Sequence, residues 1–288
     1  MKSWLFCAIL GATAPAAFSA ESLNEIRRKA EAGNAVAQFT LGGMYANGEG
    51  VAKDGTEALN WLRKAADQGD PNAQHALGVR YQTGEGLPQN NVEAVKWYRK
   101  AAQEGVVGAQ YLLGTMCENG EGTQKDSIEA AKWYLKAAEQ GFVFAQLKLG
   151  FMHASGKGVR KDGFESVRWL RKAAEQELAT AQYWLGVAYM RGDGVTQNSA
   201  EAAGWYKKAA DQGNVEALAA LGGAYLGGKG VPKDEVLGYA FLNMAAAKGD
   251  ERAKKLRDLV EEGMPREQKA EAIKLAREKW AELEAKKK

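Results

Sequence analysis

The amino-acid sequence predicts an all-α protein, an α/α solenoid of six 36-residue helix–turn–helix repeats with helical caps. Three observations carry that expectation. The stretch from Gly48 to Gly69, GEGVAKDGTEALNWLRKAADQG, returns every 36 residues without a gap. Inside each copy the apolar residues recur every three or four positions, which is the spacing of one helix face. The chain also carries 34 glycines, more than an ordinary globular protein of this size, and they fall mostly at fixed places in the repeat. A period of this length marks supersecondary units that cannot bury an apolar face alone and must stack on their neighbours.

Residues 1–19 read as a secretory signal peptide. Lys2 supplies a minimal positive start, Trp4 to Ala14 an apolar core, and Ala17-Phe18-Ser19 a small-residue site that favours cleavage after Ser19. The apolar run is shorter than the roughly 20 residues needed to span a bilayer. The expectation is therefore an exported chain, periplasmic or secreted, with no integral membrane segment once the leader is removed. Removal leaves Cys117 as the single remaining cysteine. No internal disulfide can then form, and no Cys and His spacing suits a metal.

Residues 20–32 form an N-terminal capping helix in this reading. The segment SLNEIRRKAEA, from Ser22, mimics the end of a second helix, with Ile26 and Ala30 in apolar slots and Glu25 in place of a tryptophan.

The six repeats occupy 33–68, 69–104, 105–140, 141–176, 177–212 and 213–248. Position 5 of each is alanine, from Ala37 to Ala217, and positions 9 and 10 are Leu-Gly, from Leu41-Gly42 to Leu221-Gly222. With the usual tyrosine at position 13 they make the apolar stripe of a first helix. The position 10 glycine allows close approach of a neighbouring helix. A G-x-G turn follows, and then Asp54, Asn90, Asp126, Asp162, Asn198 or Asp234 at position 22. Glutamate stands three residues later in five repeats, from Glu57 to Glu201, and Leu237 in the sixth. That spacing resembles a capping box at the start of a second helix. The second helix should bury its small residue at position 26, its tryptophan at position 29 (Trp61 to Trp205, then Phe241) and its Ala-Ala pair at 33 and 34.

Residues 249–288 should form C-terminal capping helices. They begin a seventh first helix, break at Gly263-Met264-Pro265, and end in a helix with Ile273, Ala276, Trp280 and Leu283 on one stripe.

The glycine loops are punctuation and not phosphate cradles, because they occur six times and position 21 varies between Lys and Gln. The pattern A-x-x-x-L-G-x-x-Y-x-x-G-x-G-V-x-x-D, ending W-x-x-K-A-A-x-x-G, resembles the Sel-one-like repeat, the longer relative of the tetratricopeptide repeat. The match covers residues 33–248. The resemblance implies helix pairs stacked into a right-handed superhelix with the first helices on its concave side. It also implies structural roles for the repeated residues and use as a scaffold or adaptor.

A net charge of +3 among 75 charged side chains is too balanced for an electrostatic grip on nucleic acid. The acids at positions 22 and 25 read as cap groups. His75 and His153 lie at different places in different repeats, and Cys117 fills a tyrosine slot as a buried thiol. No catalytic residue, cofactor or metal is expected. A β-lactam-binding or hydrolytic enzyme is one alternative, but S-x-x-K, S-D-N and K-T-G are all absent. A cell-wall or glycan-contacting envelope protein is another.

A recognition surface should fall where the frame varies. By resemblance, positions 4, 7, 11 and 14 of the first helices face the concave side. There the third to fifth repeats place Tyr111, Phe144, Leu147, Phe151, Tyr183, Val187 and Met190. These are the candidate contacts for a protein or peptide partner. Glu177, in place of the usual helix-ending glycine, should either end its helix differently or hold a strained left-handed backbone costing about 1–2 kcal/mol.

Overall fold

Thirteen-residue helices in antiparallel pairs account for most of the chain. The computed structural model describes residues 20–285, in which there are fifteen helices and no strand. Residues 1–19, where a signal peptide is expected, and the three C-terminal lysines lie outside the described residues. After α1 (Ala20–Glu31) come the pairs α2 (Ala35–Asn47) and α3 (Gly55–Asp67), α4 (Pro71–Thr83) and α5 (Asn91–Gln103), and α6 (Val107–Asn119) and α7 (Ser127–Glu139). They are followed by α8 (Val143–Ser155) and α9 (Gly163–Glu175), α10 (Ala179–Arg191) and α11 (Ser199–Ala210), and α12 (Val215–Gly227) and α13 (Glu235–Ala247). Helices α14 (Glu251–Gly263) and α15 (Arg266–Ala285) complete the chain. Among the described residues no helix is long and apolar enough to cross a membrane.

By its internal contacts the chain divides into two compact units. The first runs through Ala145 and takes in Lys157–Val159; the second comprises Gln146–Gly156 and Arg160 onward. The division falls within α8.

Inside each unit the same slots make the core. The position 9 leucines, Leu41, Leu77, Leu113, Leu149, Leu185 and Leu221, are at most 1% exposed, and the Ala-Ala pairs of α3, α5, α7, α9 and α11 are buried with them. Helix pairs meet through a contact that the fixed residues do not reveal. Position 30 of each repeat, Leu62, Tyr98, Tyr134, Leu170, Tyr206 or Leu242, is buried against the helical glycine of its own pair. A Cβ on Gly78 would lie 2.6 Å from the Tyr98 ring, inside contact distance, so only glycine admits that ring. The tryptophans sit further out. Trp133 and Trp169 are buried, whereas Trp61, Trp97 and Trp205 are half-buried beneath the ammonium groups of Lys64, Lys100 and Lys208, 4.0–4.2 Å from the ring centres.

The capping-box expectation needs correction. Asp54 does accept from the Thr56 and Glu57 backbone N–H groups, and Asn90, Asp126 and Asn198 do the same at their helices. The reciprocal half is missing, because the cap residue's own N–H donates elsewhere. Asp54 donates to the Tyr45 carbonyl at 2.9 Å, and all six repeats repeat this bond to the position 13 carbonyl. The turn is thus closed by backbone, and the glutamate is free for ion pairs such as Arg99–Glu129 at 2.9 Å.

Second helices end in paired bonds. Gly69 N–H donates to Ala66 and Asp70 N–H to Ala65, a Schellman arrangement that needs a left-handed residue. Glu177 occupies that place at φ +62°, the one non-glycine with positive φ among the described residues. Of the two expected alternatives, the strained backbone is what forms. Loop glycines serve a different purpose. A Cβ on Gly122 would lie 2.1 Å from the Asn91 carbonyl oxygen, and one on Gly230 would lie 1.9 Å from that of Ser199. Each loop rests directly on the backbone that opens the preceding second helix.

A polar ladder runs through the same interior. Gln38, Gln74, Gln110 and Gln182 are buried, and each donates to the carbonyl of an alanine eight residues back. The side-chain oxygens of Gln38, Gln110, Gln146 and Gln182 accept from Gln68, Gln140, Gln176 and Gln212 at 2.6–2.9 Å.

Candidate functional site

The seven residues singled out by the sequence are all half-buried, and they belong to two separate neighbourhoods. Tyr111 and Phe144 lie in the first unit. The Tyr111 ring packs against Tyr134 at 5.7 Å, Phe142 at 5.0 Å and Phe144 at 6.4 Å between centroids. Phe142 was not anticipated. It stands at position 2 of its repeat, where Asn34, Asp70, Asn214 and Asp250 cap first helices with their side chains. Val106 and Leu178 at the equivalent places of α6 and α10 make no side-chain cap bond. The third to fifth repeats thus carry apolar side chains where the outer ones carry caps. In the first unit this cluster is mostly packed upon itself.

In the second unit Leu147, Phe151, Tyr183, Val187 and Met190 lie on α8 and α10. Tyr183, Val187 and Met190 pack against the core that runs through α11–α15, and Tyr183 meets Tyr206 at 5.8 Å. The outermost ring of this group is Trp184, another residue that the sequence reading missed. It is 39% exposed and meets Phe151 edge-on at 5.5 Å and Tyr183 at 5.3 Å. Its signal was available, since position 8 is otherwise Thr40, Ala76, Leu112, Lys148 or Ala220. Phe151, Trp184, Val187 and Leu170 line a cavity of about 370 Å³ with Lys161, Arg191 and Asp193 at its rim. An apolar floor of this size, with few polar groups, suits one or two protruding side chains.

Against this geometry the comparisons with known proteins are unambiguous about kinship. The Sel1 repeat family model matches six consecutive segments, 35–70, 71–106, 107–142, 143–178, 179–214 and 215–250. The chain belongs to the Sel1 repeat family. The crystal structure of c5321, a protective antigen of uropathogenic Escherichia coli strains displaying an SLR fold, is similar at 36% identity and TM-score 0.80. That match covers 92% of this chain, which spans 56% of the other's length. A Sel1 repeat protein from Oxalobacter formigenes is also similar, at 36% identity and TM-score 0.67, covering 89% of this chain and 74% of that one. No curated protein matches.

Sel1 repeat proteins generally mediate protein–protein interaction, and the family is typically non-enzymatic. The α/α-solenoid repeat fold expected of this chain is the one observed. The family segments begin two residues later than those counted above, with the same 36-residue period, so that they open at the starts of the first helices.

Two reactive side chains of this Sel1 chain, Cys117 and His75, are buried. Cys117 is fully buried, and burial, reinforced by nearby Glu129, pushes its thiol up to about 11, far from the thiolate that a nucleophile needs. His75 is 3% exposed and its imidazole is driven down to about 4 by burial. Among the described residues no group of three or more His, Cys, Asp or Glu is placed to hold a metal.

Proposed function

We propose that the chain is a non-enzymatic exported scaffold that docks a protein partner through apolar side chains, with the Phe151–Trp184 cavity as the principal seat. The observation that carries this is the exposed Trp184 ring, held edge-on by Phe151 and Tyr183 beside an apolar hollow. A partly exposed aromatic that is already fixed by its neighbours loses little freedom on binding, which is how interface anchors reach high affinity. Tyr111, Phe144, Leu147, Tyr183, Val187 and Met190 are proposed as further contacts, their half-buried faces supplying apolar area.

The export reading rests on the leader-like residues 1–19. The similar E. coli chain is a protective antigen, which fits an address that antibodies can reach. The mature N-terminus is expected at Ala20, and sequencing the chain recovered from envelope and culture fractions checks it.

Trp184→Ala and Phe151→Ala should each cut recovery of the bound partner at least tenfold in affinity capture while circular dichroism stays unchanged. Undiminished recovery with both variants would remove this seat. Covalent labelling of the chain by a serine-reactive β-lactam probe would overturn the non-enzymatic reading.

A further inference from the structure

Two side chains depart from the repeat frame at the same cavity. Position 8 is aromatic only at Trp184. Position 15 is Asn47, Thr83, Asn119, Ser155 or Gly227 in the other repeats and Arg191 in the fifth. Both line the hollow floored by Phe151, Leu170 and Val187, and Lys161 stands on the same rim. Arg191 and Lys161 are exposed, and neither is paired with a carboxylate among the described residues. Several nearby cations of the second unit are engaged instead. Arg171 donates to the Tyr189 hydroxyl at 2.6 Å, Lys172 and Lys208 cover tryptophan rings, and Arg168 pairs with Glu165. One carboxylate, Asp193, shares the rim, which leaves it with an excess positive charge.

Resting on the docking reading above, we propose that this site selects a protein segment in which a bulky apolar residue adjoins an aspartate or glutamate. The apolar side chain enters against Phe151, Trp184 and Val187. The neighbouring carboxylate meets the Arg191 guanidinium, whose planar fork suits two parallel N–H···O bonds, with the Lys161 ammonium as a second, more mobile positive charge. Asp193 makes the rim selective, since it repels an acidic residue placed on its own side and so fixes which flank of the anchor carries the charge. The two cations flank a partly desolvated floor, where a charge-assisted bond is worth more than on open surface.

The experiment uses the full mature chain and a displayed library of random peptides, followed by fluorescein-labelled synthetic peptides of the selected consensus. The expected consensus pairs Leu, Phe or Trp with Asp or Glu. Replacing that acid by its amide should weaken binding about tenfold at low salt, and the gap should narrow as salt is raised. Arg191→Glu should reverse the preference towards peptides carrying lysine at that place, and Trp184→Ala should remove binding of acid and amide forms alike. A consensus lacking the acid, or equal binding of acid and amide peptides that Trp184→Ala still abolishes, would overturn the acidic assignment and leave the docking seat standing. Failure to select any peptide whose binding depends on Trp184 would overturn both.

Discussion

Gln74 shows what one atom of mismatch does inside a periodic structure. In four repeats the buried glutamine at position 6 accepts from a glutamine at position 36. The second repeat has Glu104 there, which offers no amide hydrogen, and the Gln74 side-chain oxygen is buried without a partner. The sixth repeat changes both members together, to Leu218 and Lys248, and leaves no orphan. A buried unpaired acceptor costs about 1–3 kcal/mol. Glu104→Gln should therefore stabilise the protein by about 1 kcal/mol, read as a higher denaturant midpoint at unchanged slope. The same change in a Gln74→Leu background should give no gain. This ladder was not legible beforehand, because a glutamine recurring near a helix end looks like any solvated polar residue until its partner thirty positions away is brought beside it.

At the scale of the element, helix ends separate what residue identity can announce from what it cannot. The caps Asp54, Asn90, Asp126 and Asn198 were legible because a side-chain oxygen makes the bond, and only a few residue types carry one in that place. The bond from each cap N–H to the position 13 carbonyl was not, since backbone groups leave no mark in the sequence. Position 30 escaped notice because it alternates between leucine and tyrosine, conserving bulk but not identity from repeat to repeat. Glu177 was legible as a conflict, and the structure resolves it at φ +62°. Glu177→Gly should relieve about 1–2 kcal/mol of strain against about 0.5–1 kcal/mol of extra chain entropy, a net gain of roughly 0.5–1 kcal/mol. An unchanged or lowered midpoint would mean that the exposed glutamate side chain makes up the difference.

For the molecule as a whole, the fold was legible because one chain presents the same pattern six times. The exposed aromatic hollow proposed above as a docking surface was only partly so. Variable positions pointed to Phe151 and Val187, yet placing positions 4, 7, 11 and 14 outside an invariant core underestimated how far Tyr111 and Tyr183 share their faces with neighbouring rings. Trp184 was passed over because position 8 lies outside that set. Global stability should also carry the signature of His75. Its folded value near 4 lies below the ordinary 6.5, so the unfolded chain takes up the proton first as pH falls. Stability is then fullest above about pH 6.5 and declines towards pH 4, by about 3 kcal/mol from this residue alone. Urea titrations across that range check the slope, and His75→Leu, copying Leu147 at the same position of the fourth repeat, should flatten it.

The loop glycines carry an implication for how such chains grow. Where Gly122 lies on Asn91 and Gly230 on Ser199, the seam is main chain against main chain, so it is indifferent to what the adjoining modules display. Duplicating, deleting or exchanging a whole 36-residue cassette at such a seam should therefore preserve it, whereas slipping a single amino acid into the turn should unseat the next module.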